Sequence, residues 1–167
     1  MSGFETQVSG LTTKIASLLT ARNWRMVTAE SCTGGWIAKC CTDGAGSSDW
    51  FERGYVSYSY QAKEQMLGVS TQDLLTHGAV SELIAKQMVV GAKQHAGVEV
   101  AVAVTGIAGP GGGVPGKPVG LVHFGWSIDA QPVSCDAVVF EGDRGEIRQQ
   151  TVLHALEGIV LRIESRG

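Results

Sequence analysis

The segment Thr28-Ala29-Glu30-Ser31-Cys32-Thr33-Gly34-Gly35 crowds hydroxyls, a thiol and a carboxylate around one tight turn. A hydroxyl between a strand end and a helix start suits a nucleophile. Backbone N–H groups there point outward and carry partial positive charge, so they can hold an oxyanion or a phosphate. Ser31 or Thr33 serves equally well as an ordinary N-cap, with Gly34 and Gly35 easing close packing. The residues alone leave both readings open. Lys63 is two-sided in the same way. It is either a solvated charge or a buried amine whose pKa falls until it can take a proton from a serine. Tyr58, on the preceding strand end, is placed to hydrogen-bond such a lysine or to relay its proton. Cys32 is a rival nucleophile, but a thiolate at neutral pH needs cationic neighbours that this turn lacks. Arg144 and Arg148 fall four apart on one helix face, where they either reach a phosphate or carboxylate or join a solvated face with Glu141 and Glu146.

Several familiar chemistries are excluded. Gly111 to Gly116 satisfies GxGxxG and Gly111 to Lys117 satisfies GxxxxGK, yet Pro118 follows the lysine and a strand comes next. A dinucleotide fingerprint has to open a helix, and a P-loop needs Ser or Thr after its lysine. His77, His95, His123 and His154 lie far apart with no HExxH and no clustered thiols, which argues against a metal. GxSxG is absent as well.

These residues need elements to hold them. With 167 residues, 44% of them hydrophobic, the chain suffices for one compact domain, 1–167, with a sizeable core. A net charge of −3 argues against a nucleic-acid partner. The four cysteines show no CxxC spacing and read as reduced thiols. No stretch has the length and apolarity of a membrane span, so a soluble cytoplasmic protein is expected.

Val8, Leu11, Ile15, Leu18 and Leu19 make a helical stripe within 5–22. Residues 25–30 read as a strand, 36–40 as a helical segment, 55–60 as a strand and 62–67 as a short helix. Ser81 caps a helix that ends before Gly97, and 98–105 is a β-branched run suited to a central strand. Residues 106–120 form a glycine-rich loop with Pro110, Pro115 and Pro118, too long for a simple turn. Two strands, 119–128 and 133–140, then form an antiparallel hairpin, and a helix over 143–163 closes the chain. The order predicts a three-layer α/β/α sandwich around one mixed, largely parallel sheet with a C-terminal hairpin.

Four ordered blocks go further: TAESCTGG at 28–35, GSSDWFERGYVSYSYQAK at 46–63, HGAVSE at 77–82, and TGIAGPGGG with KPVG across 105–120. Together they resemble the CinA carboxy-terminal domain family, in particular its standalone members that act on nicotinamide mononucleotide. The resemblance implies hydrolysis of the carboxamide of that nucleotide to nicotinic acid mononucleotide and ammonia, with no metal and no cofactor. It implies Ser31 as nucleophile, Lys63 as base and Tyr58 as assistant. Glu30, Thr33, Gly34, Gly35, Ser48, Thr105, Gly106, Gly109, Arg144 and Arg148 are then expected around a small nucleotide substrate. Where the family usually reads YSN, this chain has Tyr58-Ser59-Tyr60, so the lining beside Lys63 differs. Two alternatives stay open: a catalytically silent nucleotide-binding or regulatory module, since the family also forms one half of larger competence- and damage-associated proteins, and an amidohydrolase for a related pyridine amide. Homo-oligomerisation stays open too.

Overall fold

The first helix, α1 (Gly3–Arg22), starts at a capping box in which Ser2 accepts from the Glu5 amide and the Glu5 side chain accepts from the Ser2 amide. It stops at Asn23, whose left-handed backbone (φ 56°) ends the helical hydrogen bonding. The computed structural model describes residues 1–165. After α1 come β1 (Met26–Glu30), α2 (Trp36–Thr42), a short 3-10 turn (Ser47–Asp49), β2 (Phe51–Val56), α3 (Tyr60–Leu67), α4 (Thr71–His77) and α5 (Glu82–Ala96). The chain then forms β3 (Val100–Gly106), β4 (Leu121–Ile128), β5 (Ser134–Val139) and α6 (Arg144–Glu164).

One five-stranded sheet runs β2-β1-β3-β4-β5. β2 and β3 both pair parallel to β1, while β4 pairs antiparallel to β3 and to β5. Four strands therefore point one way and β4 alone opposes them. The expected α/β/α sandwich is found: strand side chains alternate between two apolar layers. Val100, Val102 and Val104 pack with Ile15, Leu19, Leu156 and Ile159 of α1 and α6, whereas Ala101, Ala103, Val27 and Ala29 pack with Ile84, Met88 and Val89 of α5 and with Leu67 and Leu74. Each such valine, leucine, isoleucine or methionine side chain, removed from water, contributes about 1.5–3 kcal/mol. No helix among the described residues is long and apolar enough to cross a membrane.

Two expectations are corrected. The strand read at 55–60 lies at Phe51–Val56. The apparent alternation through Tyr58 and Tyr60 is misleading, because the chain leaves the sheet after Val56 and both tyrosines are exposed. α4 was not anticipated: its seven residues, TQDLLTH, carry too few apolar side chains for a stripe, although Ser70 accepting from the Asp73 amide is an ordinary N-cap. The seat of α3 depends on Gly91 of α5, where an added Cβ would stand 1.9 Å from the Leu67 carbonyl oxygen. Only glycine lets α3 settle that close to α5, and α3 carries Lys63.

Candidate active site

Ser31 follows the last residue of β1, and its amide donates to the Val104 carbonyl of β3 at 3.2 Å. That bond fixes it at the carboxyl edge of the two central strands, where open α/β sheets collect their ligands. Lys63 stands in the first turn of α3, with Ser59 as N-cap. The fold brings its Nζ to 2.9 Å from Ser31 Oγ, across 32 residues of chain. Nζ also lies 2.7 Å from the Ser57 carbonyl oxygen and 3.2 Å from that of Tyr58. These carbonyls are available because the pairing with β1 ends at the Ser57 amide, which donates to the Glu30 carbonyl at 2.8 Å, and the chain then leaves the sheet.

Lys63 is 1% exposed, and no carboxylate pairs with it among the described residues. Burial lowers its pKa from 10.5 to about 8. A neutral amine has two N–H bonds and one lone pair. Giving the N–H bonds to the two carbonyls leaves the lone pair facing the Ser31 hydroxyl, so Ser31 donates to Nζ and the amine is poised to take its proton. Burial also pushes the Cys32 thiol up to about 12, which leaves it a thiol at neutral pH and removes the rival nucleophile.

The pair opens into a cavity of about 190 Å³ lined by Ser31, Cys32, Tyr58, Lys63, Ala79, Val80, Thr105, Gly106, Ala108 and Arg144. A wider cleft of about 600 Å³ lies between α1 and α2, bounded by Phe4, Trp36, Lys39 and Cys40, but its lysine is held by Asp43 at 2.8 Å and burial pushes its thiol up to about 11.

Beneath the turn, Glu30 is fully buried and saturated. Its two carboxyl oxygens accept from the hydroxyls of Thr28 (3.2 Å) and Thr33 (2.6 Å) and from the amides of Ile37 and Ala38 (both 2.9 Å). Glu30 and Thr33, expected to touch substrate, instead cap α2 and brace the turn. Gly34 and Gly35 supply its backbone, with φ of +60° and +97°. The Gly34 amide is taken by the Ser31 carbonyl at 3.1 Å, so it is not among the turn's amides free to hold an oxyanion. The amides of Cys32 and Thr33 meet no backbone carbonyl among the described residues.

The remaining expected residues divide. Thr105 lines the cavity with its hydroxyl donating to the Ala79 carbonyl at 2.9 Å, leaving oxygen lone pairs free to accept. Gly106 also lines it, and a Cβ there would meet Val122 at 2.6 Å. The Tyr58 hydroxyl does not reach Lys63; it lies 3.5 Å from Arg144 Nη2. Arg144 Nη1 donates to the Gly109 carbonyl at 2.7 Å, which joins the glycine-rich loop to the cavity mouth. Arg148 stays outside the cavity, with Nε on the Cys32 carbonyl and Nη2 on the Thr33 carbonyl, both at 3.0 Å. Ser48 is not brought to the cleft. It precedes β2, and its carbonyl accepts from Arg25 at the opposite end of the strands. Sequence reasoning missed Ser57, Ala79, Val80 and Ala108; the signal for Ala79 and Val80 was the HGAVSE block, in which they just precede the Ser81 cap.

The CinA C-terminal domain model matches residues 8–163. The chain is 45% identical over 153 residues to the nicotinamide-nucleotide amidohydrolase PncC of Escherichia coli K12, covering 92% of this chain and 93% of that protein. It is also 45% identical over 142 residues to a CinA-like protein of Akkermansia muciniphila, covering 85% of this chain but 34% of that longer protein. Among solved structures, it is similar to the competence/damage inducible protein CihA of Agrobacterium tumefaciens, with a TM-score of 0.93, 44% identity, and 98% and 99% of the two chains covered.

Proposed function

The chain belongs to the CinA C-terminal domain family, and from that premise we propose that it is a nicotinamide-nucleotide amidohydrolase, converting nicotinamide mononucleotide and water to nicotinic acid mononucleotide and ammonia by a Ser31–Lys63 mechanism. The relatives named for that activity match along nearly their whole length. The observation that carries the mechanism is the 2.9 Å contact between Ser31 Oγ and Lys63 Nζ inside a cavity.

Neutral Lys63 takes the Ser31 proton as Oγ attacks the carboxamide carbon, and the amides of Cys32 and Thr33 are the donors available to the oxyanion. As the carbon–nitrogen bond breaks, the Lys63 ammonium returns the proton to the departing nitrogen, which leaves as ammonia. Water then attacks the Ser31 ester. Lys63 takes the water's proton and returns it to Oγ, releasing the carboxylic acid.

Cys32, Ala79, Val80 and Ala108 form compact walls suited to a flat pyridine ring, with Thr105 and Gly106 alongside. The phosphate of the nucleotide falls to Arg144, the guanidinium at the mouth. Reduced, free cysteines fit work in the cytoplasm. Ammonia release from nicotinamide mononucleotide by the wild type, absent in Ser31→Ala, tests the reading; no release would leave a silent nucleotide-binding module. Nicotinamide and its riboside, run beside the nucleotide, show whether the phosphate is required. Faster turnover of either one would reassign the substrate to a related pyridine amide.

A further inference from the structure

Arg148 does not line the cavity, yet it holds the peptide unit that carries the Thr33 amide. Its Nε and Nη2 grip two consecutive carbonyls, those of Cys32 and Thr33, each at 3.0 Å. The guanidinium carbon stands 5.2 Å from the centre of the Trp36 ring, and a Cβ added at Gly34 would lie 3.5 Å from Nη2. The fork thus lies over a ring on one side and close against a glycine on another.

In a trans peptide the C=O of one residue and the N–H of the next point in opposite directions. Holding the Cys32 carbonyl toward α6 therefore turns the Thr33 N–H away from α6. Strand alternation places Val27 and Ala29 in the layer of α3 and α5, and carries Ser31 to that same side, where Lys63 waits. The Thr33 amide, which meets no backbone carbonyl among the described residues, is then directed to the side where the tetrahedral oxygen forms. The next peptide is locked in the same manner: the Thr33 carbonyl also accepts from the Trp36 amide at 3.1 Å, while the Gly34 amide closes on the Ser31 carbonyl.

We propose that Arg148 is a positioning residue for the reaction, its two-pronged grip fixing the Thr33 amide as an oxyanion donor. The inference rests on the deamidation reading and adds to it a part that neither the base nor the substrate pocket supplies. A lysine cannot replace this arginine, because an ammonium is a point donor without the planar fork.

The test is steady-state kinetics of Arg148→Lys and Arg148→Ala with nicotinamide mononucleotide. Loss of one oxyanion donor costs about 10²-fold in kcat. Both variants are therefore expected to lose kcat on that order while KM stays within about twofold. The pH midpoint of kcat/KM is expected to stay at its wild-type value, since Lys63 is untouched. Added guanidinium ion is expected to restore part of the Arg148→Ala rate. A raised KM at unchanged kcat would make Arg148 a substrate anchor and overturn the proposal, and so would unchanged kcat. Lost kcat with a large fall in melting temperature and no guanidinium rescue would reduce Arg148 to general support. If Arg148→Ala does not fold, the Arg148→Lys kinetics decide. A wild type that releases no ammonia brings down the deamidation reading and this proposal together, whereas an active wild type matched by Arg148→Lys brings down this proposal alone.

Discussion

Glu30 and Lys63 are both buried ionisable side chains beside Ser31, and the fold treats them oppositely. On the α2 side of β1, Glu30 receives four hydrogen bonds, two from backbone amides, and both of its oxygens are satisfied. On the α3 side, Lys63 faces two neutral carbonyls and a hydroxyl with no opposing charge. A carboxylate surrounded by donors is a brace. A lysine buried with no opposing charge loses the hydration that its ammonium needs, and its pKa falls to about 8. Rigidity on one side of the turn thus supports reactivity on the other.

The contrast is broken most severely from the reactive side. Ser31→Ala and Lys63→Ala are each expected to lower ammonia release by about 10³-fold or more with unchanged circular dichroism. Full activity in either variant would dissolve the pair. From the bracing side, Glu30→Gln turns one acceptor into a donor facing two donors. It is expected to cost about 3 kcal/mol in urea unfolding, within the range for disturbing a buried charged hydrogen-bond set. A Glu30→Gln protein as stable as wild type would show that the brace is dispensable.

Lys63→Met sharpens the opposition, because it is expected to raise the melting temperature at pH 7 while abolishing activity. The sign follows from linkage. Below about pH 8 folded and unfolded chains both carry the proton, and burial of the charge is fully penalised. Between about 8 and 10.5 the unfolded chain binds more protons, so stability rises with pH and levels above 10.5. Melting temperatures across that window should show this rise from Lys63 in wild type and its loss in Lys63→Met. The smallest effect is expected at Ser48→Ala, far from the cleft, with kcat/KM within about twofold of wild type. A tenfold loss there would mean that the cleft within one chain is incomplete.

Much of the layering was readable from the sequence because periodicity survives wherever a face is buried, as in α1, α5, β3 and α6. It failed at β2, an edge strand whose exposed positions blur the alternation, and at α4, too short to show a stripe. Ser31 and Lys63 had types suited to chemistry, but local spacing does not reveal a contact made across 32 residues; the four blocks supplied the pairing. Glu30 and Thr33 were expected to face substrate because they belong to the TAESCTGG block, and the sequence gives no hint of which side of the turn a polar side chain faces. The saturating donors come from α2, seven and eight residues further on. The same ambiguity hid the division of labour between Arg144 at the mouth and Arg148 behind the turn.

The proposed mechanism requires a neutral Lys63 as the base for Ser31. The pH dependence of kcat/KM for ammonia release from nicotinamide mononucleotide measures that protonation in the free protein. The predicted profile climbs with pH through a single ionisation near 8 and flattens above it, set by the lysine. A rate independent of pH between about 6 and 9, or one that falls across that range, would contradict it.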